Sequence, residues 1–129
     1  MGHSGGGRDC IAIARRLDEE NIVVDGLICI DTFWFGPLSG NVRRAVHVYF
    51  SSHRLYLSRP LKYGSGAKGF AVSYDLDDIL SQAQRQETDH FRAEDHPVVL
   101  AIVIREARRC LKRFSSGRAP TGTGPDGVE

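Results

Sequence analysis

The sequence has little of several features that mark particular classes of protein. Its 129 residues carry 17 lysines and arginines against 16 aspartates and glutamates, a formal net charge of +1. Such an even balance of charges does not suggest a nucleic-acid partner. The longest apolar stretches, 22–30 and 97–104, are well below the roughly 20 residues that cross a bilayer, so we expect no membrane span.

Cysteine is also scarce. Cys10, Cys29 and Cys110 are widely spaced, and each lies in an apolar stretch. This pattern favours reduced core thiols over a disulfide framework or a zinc site, and nothing in the sequence calls for a cofactor. Reduced thiols are typical of a cytoplasmic protein, which is the compartment that we expect. The first residues also lack the apolar region and cleavage site of a secretory signal.

The composition that remains is that of one globular domain, with 41% hydrophobic and 26% charged residues. We assign the domain to residues 1–114. Residues 115–129 are rich in glycine, proline, serine and threonine, with few apolar side chains to offset the entropy of ordering them. They are therefore predicted to form a disordered tail.

The order of apolar patterns predicts an α/β fold. Apolar residues in Arg8–Glu20 recur at helical spacing, and Ile22–Asp31 reads as a strand buried on both faces. Two more strands are predicted at Arg44–Ser52 and Phe70–Tyr74. A helix that leads into a buried strand indicates a parallel sheet. We expect a partial parallel sheet of about three strands with flanking helices.

Two helices complete this prediction. Residues 75–86 are typical of a short polar helix. The strongest helical pattern starts at Pro97, a residue well suited to a first helical turn, and Glu94 and Asp95 lie where the positive end of the helix dipole favours acidic groups.

The first residues contain the pattern G-x-S-x-G, as Gly2-His3-Ser4-Gly5-Gly6. A serine on a sharp strand-to-helix turn needs small neighbours, so that backbone and substrate can come close. The N–H of Gly5 would then lie at a helix N-terminus, where it can stabilise a developing oxyanion.

A serine becomes a good nucleophile only when a histidine takes its proton, and that histidine needs a carboxylate to fix its tautomer. Downstream of Ser4, a predicted strand ends in Asp31, and His90 precedes the last helix. Since parallel strands share one carboxyl edge, Ser4 and Asp31 are expected to lie close together.

These motifs together resemble the C-terminal half of an α/β-hydrolase fold protein of the lipase and thioesterase kind. GHSGGG looks like the family's nucleophile elbow, Ile28-Cys29-Ile30-Asp31 like its sixth strand and an acid, and the segment 89–97 like its histidine loop and terminal helix. The resemblance implies that Ser4 is the nucleophile, His90 the base, Asp31 the acid and Gly5 an oxyanion donor. It also implies an ester or thioester substrate.

The resemblance leaves alternatives open. His96 competes with His90, and many members carry the acid after the next strand, where this chain has Ser51, Ser52 and His53 but no carboxylate. The family also places several strands before the nucleophile, whereas Met1 directly precedes Gly2. We therefore expect a chain truncated at its N-terminus, with an exposed sheet edge through which it self-associates. The alternative function is an inactive fragment or protein-interaction module that retains the signature.

Three further patterns carry less weight. His90 and His96 with Asp89 and Asp95 match no metal-binding spacing. The run at residues 5–8 lacks the Lys-Ser/Thr pair of a phosphate-binding loop. Phe33-Trp34-Phe35, next to Asp31, would suit packing or, beside a site, an apolar acyl group.

Overall fold

The computed structural model describes residues 1–33, 35–52 and 59–116. Four strands form one sheet in the order β1-β2-β3-β4, and all neighbouring pairs are parallel. The elements in chain order are β1 (Gly2–His3), α1 (Ser4–Glu19), β2 (Leu27–Ile30), β3 (Arg44–Tyr49), β4 (Phe70–Asp75), α2 (Leu76–Ile79), α3 (Gln82–Glu87), a 3₁₀ turn (Ala93–Asp95) and α4 (Pro97–Ser116). The fold is of the α/β class, as the sequence predicts.

The predicted count of about three strands is wrong, because the sheet has a fourth strand before α1. Gly2 and His3 pair in parallel with Cys29 and Ile30 of β2. Two residues are too short to show a period in the sequence, so only their pairing with β2 reveals them as a strand. Strands β1 and β4 form the two edges of the sheet.

Helices pack on both faces of the sheet because β2 and β3 bury residues on both sides. In β2, Leu27 and Cys29 join a core cluster with Ile11 and Ala14 of α1. Ile28 and Ile30 join the opposite cluster, which includes residues of α4. This period of two is the alternation of side chains along a strand, and it places α1 and α4 on opposite faces.

The first two predicted elements have different limits in the structure. Helix α1 begins at Ser4 rather than Arg8, because the glycines of residues 5–7 continue the helix despite their low helix propensity. The strand predicted over 22–31 is only Leu27–Ile30. Ahead of it, Val24 makes a single isolated bridge to Val42, and Asn21 adopts a positive φ of 58° that turns the chain out of α1.

The later elements follow the prediction more closely. Strands β3 and β4 begin at the predicted residues Arg44 and Phe70. The polar helix predicted at 75–86 is two helices, because the backbone is extended at Leu80 after α2, and Ser81 then caps α3 with a capping box. Helix α4 extends to Ser116, so residues 115 and 116 are helical, and the rest of the predicted tail lies outside the described residues.

A buried ion-pair network ties α4 to the sheet. Glu106 of α4 is fully buried, and its carboxylate accepts hydrogen bonds from Arg44 of β3 and from the hydroxyl of Tyr74 in β4, the latter at 2.8 Å. Arg109 pairs with the same carboxylate. Burial alone would raise the pKa of Glu106, but Arg44, Tyr74 and Arg109 hold this pKa below its usual value.

The cysteines occupy different environments. Cys29 is a fully buried free thiol whose pKa is raised by burial to about 12, whereas Cys10 and Cys110 are only half-buried. The prediction of core thiols is therefore confirmed in full only for Cys29. In the part of the chain that the structure describes, no helix is long and apolar enough to cross a membrane.

Candidate active site

Ser4 occupies the turn between β1 and α1, at the carboxyl end of β1. Its φ of 51° lies in the left-handed region, which residues other than glycine seldom adopt. Such a conformation costs on the order of 1–3 kcal/mol and persists only where the surrounding structure fixes it. In this conformation the Ser4 Oγ lies 2.8 Å from Nε2 of His90.

Two glycines allow the close packing around this turn. A Cβ on Gly2 would lie 2.3 Å from the carbonyl oxygen of Gly6, and one on Gly7 would lie 1.8 Å from Oγ1 of Thr32. Both distances are far below van der Waals contact, so a side chain at either position would displace the turn. Gly7 therefore brings α1 directly against the residue that follows Asp31.

Gly5 is the second residue of α1. Its N–H is one of the first four in the helix, which have no partner within the helix. Apart from its chain neighbours and the backbone of α1, no atom of the described residues lies within 4 Å of the position that a Cβ on Gly5 would occupy, so the space beside it is open. The helix N-terminus and the open space suit the binding of a negatively charged oxygen next to Ser4.

Asp31 directly follows β2 and is fully buried. Its φ of 40° lies in the left-handed region, like that of Ser4. Main-chain bonds hold it there, since its N–H donates to the carbonyl of Val48 at 2.6 Å and its Oδ1 accepts the N–H of Phe50 at 3.3 Å. Its second oxygen, Oδ2, lies 2.7 Å from Nδ1 of His90.

His90 lies between α3 and the 3₁₀ turn, and only 5% of its surface is exposed. Because a carboxylate only accepts hydrogen bonds, the Nδ1 of His90 donates to Asp31. In the neutral ring Nε2 is then an acceptor, and it accepts the hydroxyl hydrogen of Ser4. The structure thus brings together all three residues that the sequence singled out, in one hydrogen-bonded row.

The alternative residues lie elsewhere. His96 ends the 3₁₀ turn, and its Nδ1 accepts the N–H of Val98 at the start of α4. Ser51 and Ser52, which follow β3, both bond to the carboxylate of Asp77. His53 is outside the described residues.

The acidic residues near the two histidines make local bonds of their own. The Asp89 carboxylate accepts the main-chain N–H groups of Phe91 and Arg92, each at 3.0 Å, and so shapes the turn after His90. Over residues 1–33, 35–52 and 59–116, no group of three histidine, cysteine or acidic side chains is arranged to hold a metal ion.

Aromatic rings flank His90. The rings of Phe33 and Phe91 have centroids 5.8 Å and 5.2 Å from the His90 ring. Phe91 is 74% exposed, so its ring is open to solvent beside His90. Phe35 instead packs in the core against His47, and Trp34 lies outside the described residues.

Two histidines at this site are absent from the sequence prediction. His3 precedes Ser4, and its Nε2 lies 2.7 Å from the carbonyl oxygen of His90. His47 is fully buried in β3, where its Nε2 accepts the N–H of Thr32 at 3.2 Å and its Nδ1 donates to the carbonyl of Arg59. In the sequence, His3 is marked only by its variable position in G-x-S-x-G. His47 is marked only as a polar residue within a buried strand.

His47 supports the turn that carries Asp31. His47 can accept the N–H of Thr32 only while its imidazole is neutral, because a protonated imidazole has no acceptor nitrogen. Burial lowers the pKa of His47 to about 4, although bonds to Arg59 and Thr32 and the charge of Asp31 partly oppose this shift. At ordinary pH the ring therefore stays neutral, and its Nε2 continues to accept the N–H of Thr32.

An apolar groove of about 440 Å³ lies away from these residues and is lined in part by Gly26, Ile28 and Cys110. Gly26 precedes β2, whereas Asp31 follows it. The groove is therefore next to the amino end of the strand, and it takes no part in the Ser4, His90 and Asp31 arrangement.

No known protein family, no curated protein and no solved structure matches this chain. The function must therefore be argued from the site itself.

Proposed function

We propose that this protein is a serine hydrolase that cleaves an ester or thioester through an acyl-enzyme. The observation that carries the proposal is the row formed by the Ser4 hydroxyl, the two nitrogens of His90 and the Asp31 carboxylate, with bonds of 2.8 Å and 2.7 Å. A nucleophile, a base within hydrogen-bond reach and a group that orients the base are the features that define such chemistry.

The first half of the reaction follows from this geometry. Ser4 Oγ attacks the carbonyl carbon of the substrate while its proton passes to Nε2 of His90. The buried carboxylate of Asp31 stabilises the imidazolium that forms. The N–H of Gly5 donates to the oxygen that becomes negative. His90 then gives its proton to the departing alcohol or thiol, which leaves Ser4 acylated.

The second half reverses these roles. A water molecule gives a proton to Nε2 of His90 and attacks the acyl carbon. The proton then returns to Ser4 Oγ as the carboxylic acid leaves, so the enzyme is restored without a cofactor.

Further features support this proposal and, with it, membership of the α/β-hydrolase fold. The nucleophile and the acid follow adjacent parallel strands, β1 and β2, at the same edge of the sheet. The strained turn at Ser4, against which Gly2 of the pattern is closely packed, is the local structure that G-x-S-x-G requires. Gly7, one residue beyond the pattern, packs against Thr32. The exposed Phe91 beside His90 favours a substrate with an apolar group.

The test is hydrolysis of p-nitrophenyl butyrate and of a butyryl thioester by the purified chain. We expect turnover by the wild type and none above background by Ser4→Ala. The matched control is Ser39→Ala, which removes a hydroxyl that donates to Asn41. Equal turnover by Ser4→Ala and the wild type would contradict the role of Ser4 as the nucleophile. No turnover by a folded wild type would instead favour the alternative of a non-catalytic interaction module.

A further inference from the structure

His3 bridges the two segments that carry the proposed nucleophile and base. It is the residue before Ser4, and its ring centroid lies 5.0 Å from that of His90. Its Nε2 is 2.7 Å from the carbonyl oxygen of His90, and its Nδ1 is 3.1 Å from Oε2 of Glu94. One imidazole therefore joins β1, the main chain of His90 and the 3₁₀ turn.

Both partners of His3 can only accept hydrogen bonds. A main-chain carbonyl and a carboxylate have no hydrogen to give, and a neutral imidazole has one N–H. The two bonds can therefore form together only when both ring nitrogens carry hydrogen. The His3 side chain is 18% exposed and that of Glu94 is 49% exposed, so solvent partly screens the pair without separating it.

The position of His3 relates it to the distance between the backbones of Ser4 and His90. His3 is bonded covalently to Ser4, and it holds His90 by the main chain, so it fixes the backbone of the base relative to the backbone of the nucleophile. The 2.8 Å distance from Ser4 Oγ to His90 Nε2 depends on that separation. Displacing a catalytic group by about 1 Å can cost about 10²-fold in rate.

We propose that His3 and Glu94 are positioning residues that hold the main chain of His90 at the distance from Ser4 needed for proton transfer. This inference rests on the proposed function. Neither residue touches the reacting atoms. Glu94 orients His3, and His3 in turn holds His90.

The experiment compares three variants in the full chain. His3→Phe keeps a ring but removes both nitrogens, His3→Gln keeps one donor, and Glu94→Gln removes the charge that orients His3. The matched control is Glu87→Gln, an exposed glutamate at the end of α3. The readouts are kcat and KM for p-nitrophenyl butyrate, the melting temperature, and the proton NMR signal of His90 Nδ1–H, which reports its bond to Asp31.

We expect kcat to fall about 10²-fold in His3→Phe and about tenfold in Glu94→Gln, with KM changed less than about twofold. His3→Gln is expected to recover most of the kcat lost in His3→Phe, because its amide can donate to the His90 carbonyl. Glu87→Gln should match the wild type. In His3→Phe the His90 signal should shift or broaden while the melting temperature shows a folded protein.

Wild-type kcat in both His3→Phe and Glu94→Gln would overturn the inference, even if Ser4→Ala is inactive. If His3→Phe does not fold, Glu94→Gln and His3→Gln decide the matter. If the folded wild type shows no turnover, the proposed function fails instead. In that case the NMR signal still tests the positioning role, because an unchanged His90 Nδ1–H signal in His3→Phe and Glu94→Gln would refute it.

Discussion

Asp31 and His90 lie 59 positions apart in the chain, yet a 2.7 Å hydrogen bond joins the Oδ2 of one to the Nδ1 of the other. Asp31 is fully buried and His90 nearly so, so water competes little for this bond. It sets the tautomer of His90 and leaves Nε2 as the acceptor for the Ser4 hydroxyl. The reactivity that we propose for Ser4 depends on this one contact.

Asp31→Asn should abolish most of the activity without changing the shape of the site. The amide can donate to Nδ1 of His90 and so favour the wrong tautomer, and it carries no charge to stabilise the imidazolium. We expect kcat to fall by roughly 10⁴-fold, as for such a change in a Ser-His-Asp triad. The measurement is kcat for p-nitrophenyl butyrate, with Asp25→Asn, which weakens a surface pair with Arg43, as control. A loss below about tenfold would argue against Asp31 as the acid.

His47 should make the folded state less stable in mild acid. Its pKa is about 4 in the folded protein against an ordinary value of 6.5, so between these values the unfolded chain binds more protons. The contribution of His47 to the free energy of unfolding is therefore constant above about pH 6.5 and falls as the pH drops towards about 4, by about 3 kcal/mol in total. Urea unfolding at about pH 7 and about pH 4.5 measures this loss.

The His47→Gln variant isolates this effect from other titrating groups. Glutamine can offer an acceptor to Thr32 and a donor to Arg59 but does not titrate, so the acid-dependent loss should shrink by most of the about 3 kcal/mol. His96→Gln is the control and should retain the wild-type pH dependence. An unchanged pH dependence in His47→Gln would show that His47 is not the group responsible.

Gly7→Ala should destabilise the fold and lower the activity together. The new methyl group would overlap Oγ1 of Thr32, which directly follows Asp31, and it would press on the carbonyl oxygen of Gly2. We expect a net loss of about 1–3 kcal/mol, even though alanine favours a helix more than glycine does. Thermal unfolding and kcat are the measurements.

The control for Gly7→Ala is Gly6→Ala, where the new Cβ would meet no described atom within 4 Å outside its chain neighbours and its own helix backbone. This variant should be as stable as the wild type or more stable, by up to about 1 kcal/mol. Equal stability of the two variants would mean that α1 does not pack closely against Thr32.

Phe91 should contribute to the binding of apolar substrates. Its ring is 74% exposed and lies 5.2 Å from that of His90, so a bound acyl or alkoxy chain would cover it. Phe91→Ala should lower kcat/KM about tenfold for an octanoate ester and less than about twofold for an acetate ester. Phe70→Ala, at the amino end of β4 and 52% exposed, should affect neither ester. Equal effects of Phe91→Ala on both esters would exclude a chain-binding role.

Much of the site could be predicted from the sequence because its parts have local signatures. Ser4 lies in G-x-S-x-G, Asp31 ends an apolar strand, and His90 precedes a strong helix. Parallel strands place Ser4 and Asp31 at one edge, so their proximity follows from topology alone. The choice of His90 over His96 required the structure, since both histidines precede α4.

The contacts that support the site could not be predicted in this way. His3 meets Glu94 and the carbonyl of His90 through a fold that joins the two ends of the domain, and no spacing in the chain encodes that distance. His47 interrupts an apolar strand, but only the structure shows that its ring accepts the N–H of Thr32. Likewise, β1 is recognised only by its pairing with β2, because two residues are too few to show the alternating pattern of a strand.

The most direct test of the account is a fluorophosphonate probe on the full chain. Ser4 Oγ would bond to phosphorus, fluoride would leave, and His90 would take the proton. We predict one adduct on the wild type, assigned to Ser4 by peptide mapping, and none on Ser4→Ala or His90→Gln. A folded wild-type protein without an adduct, or an adduct on another serine, would contradict the assignment of Ser4 as the nucleophile.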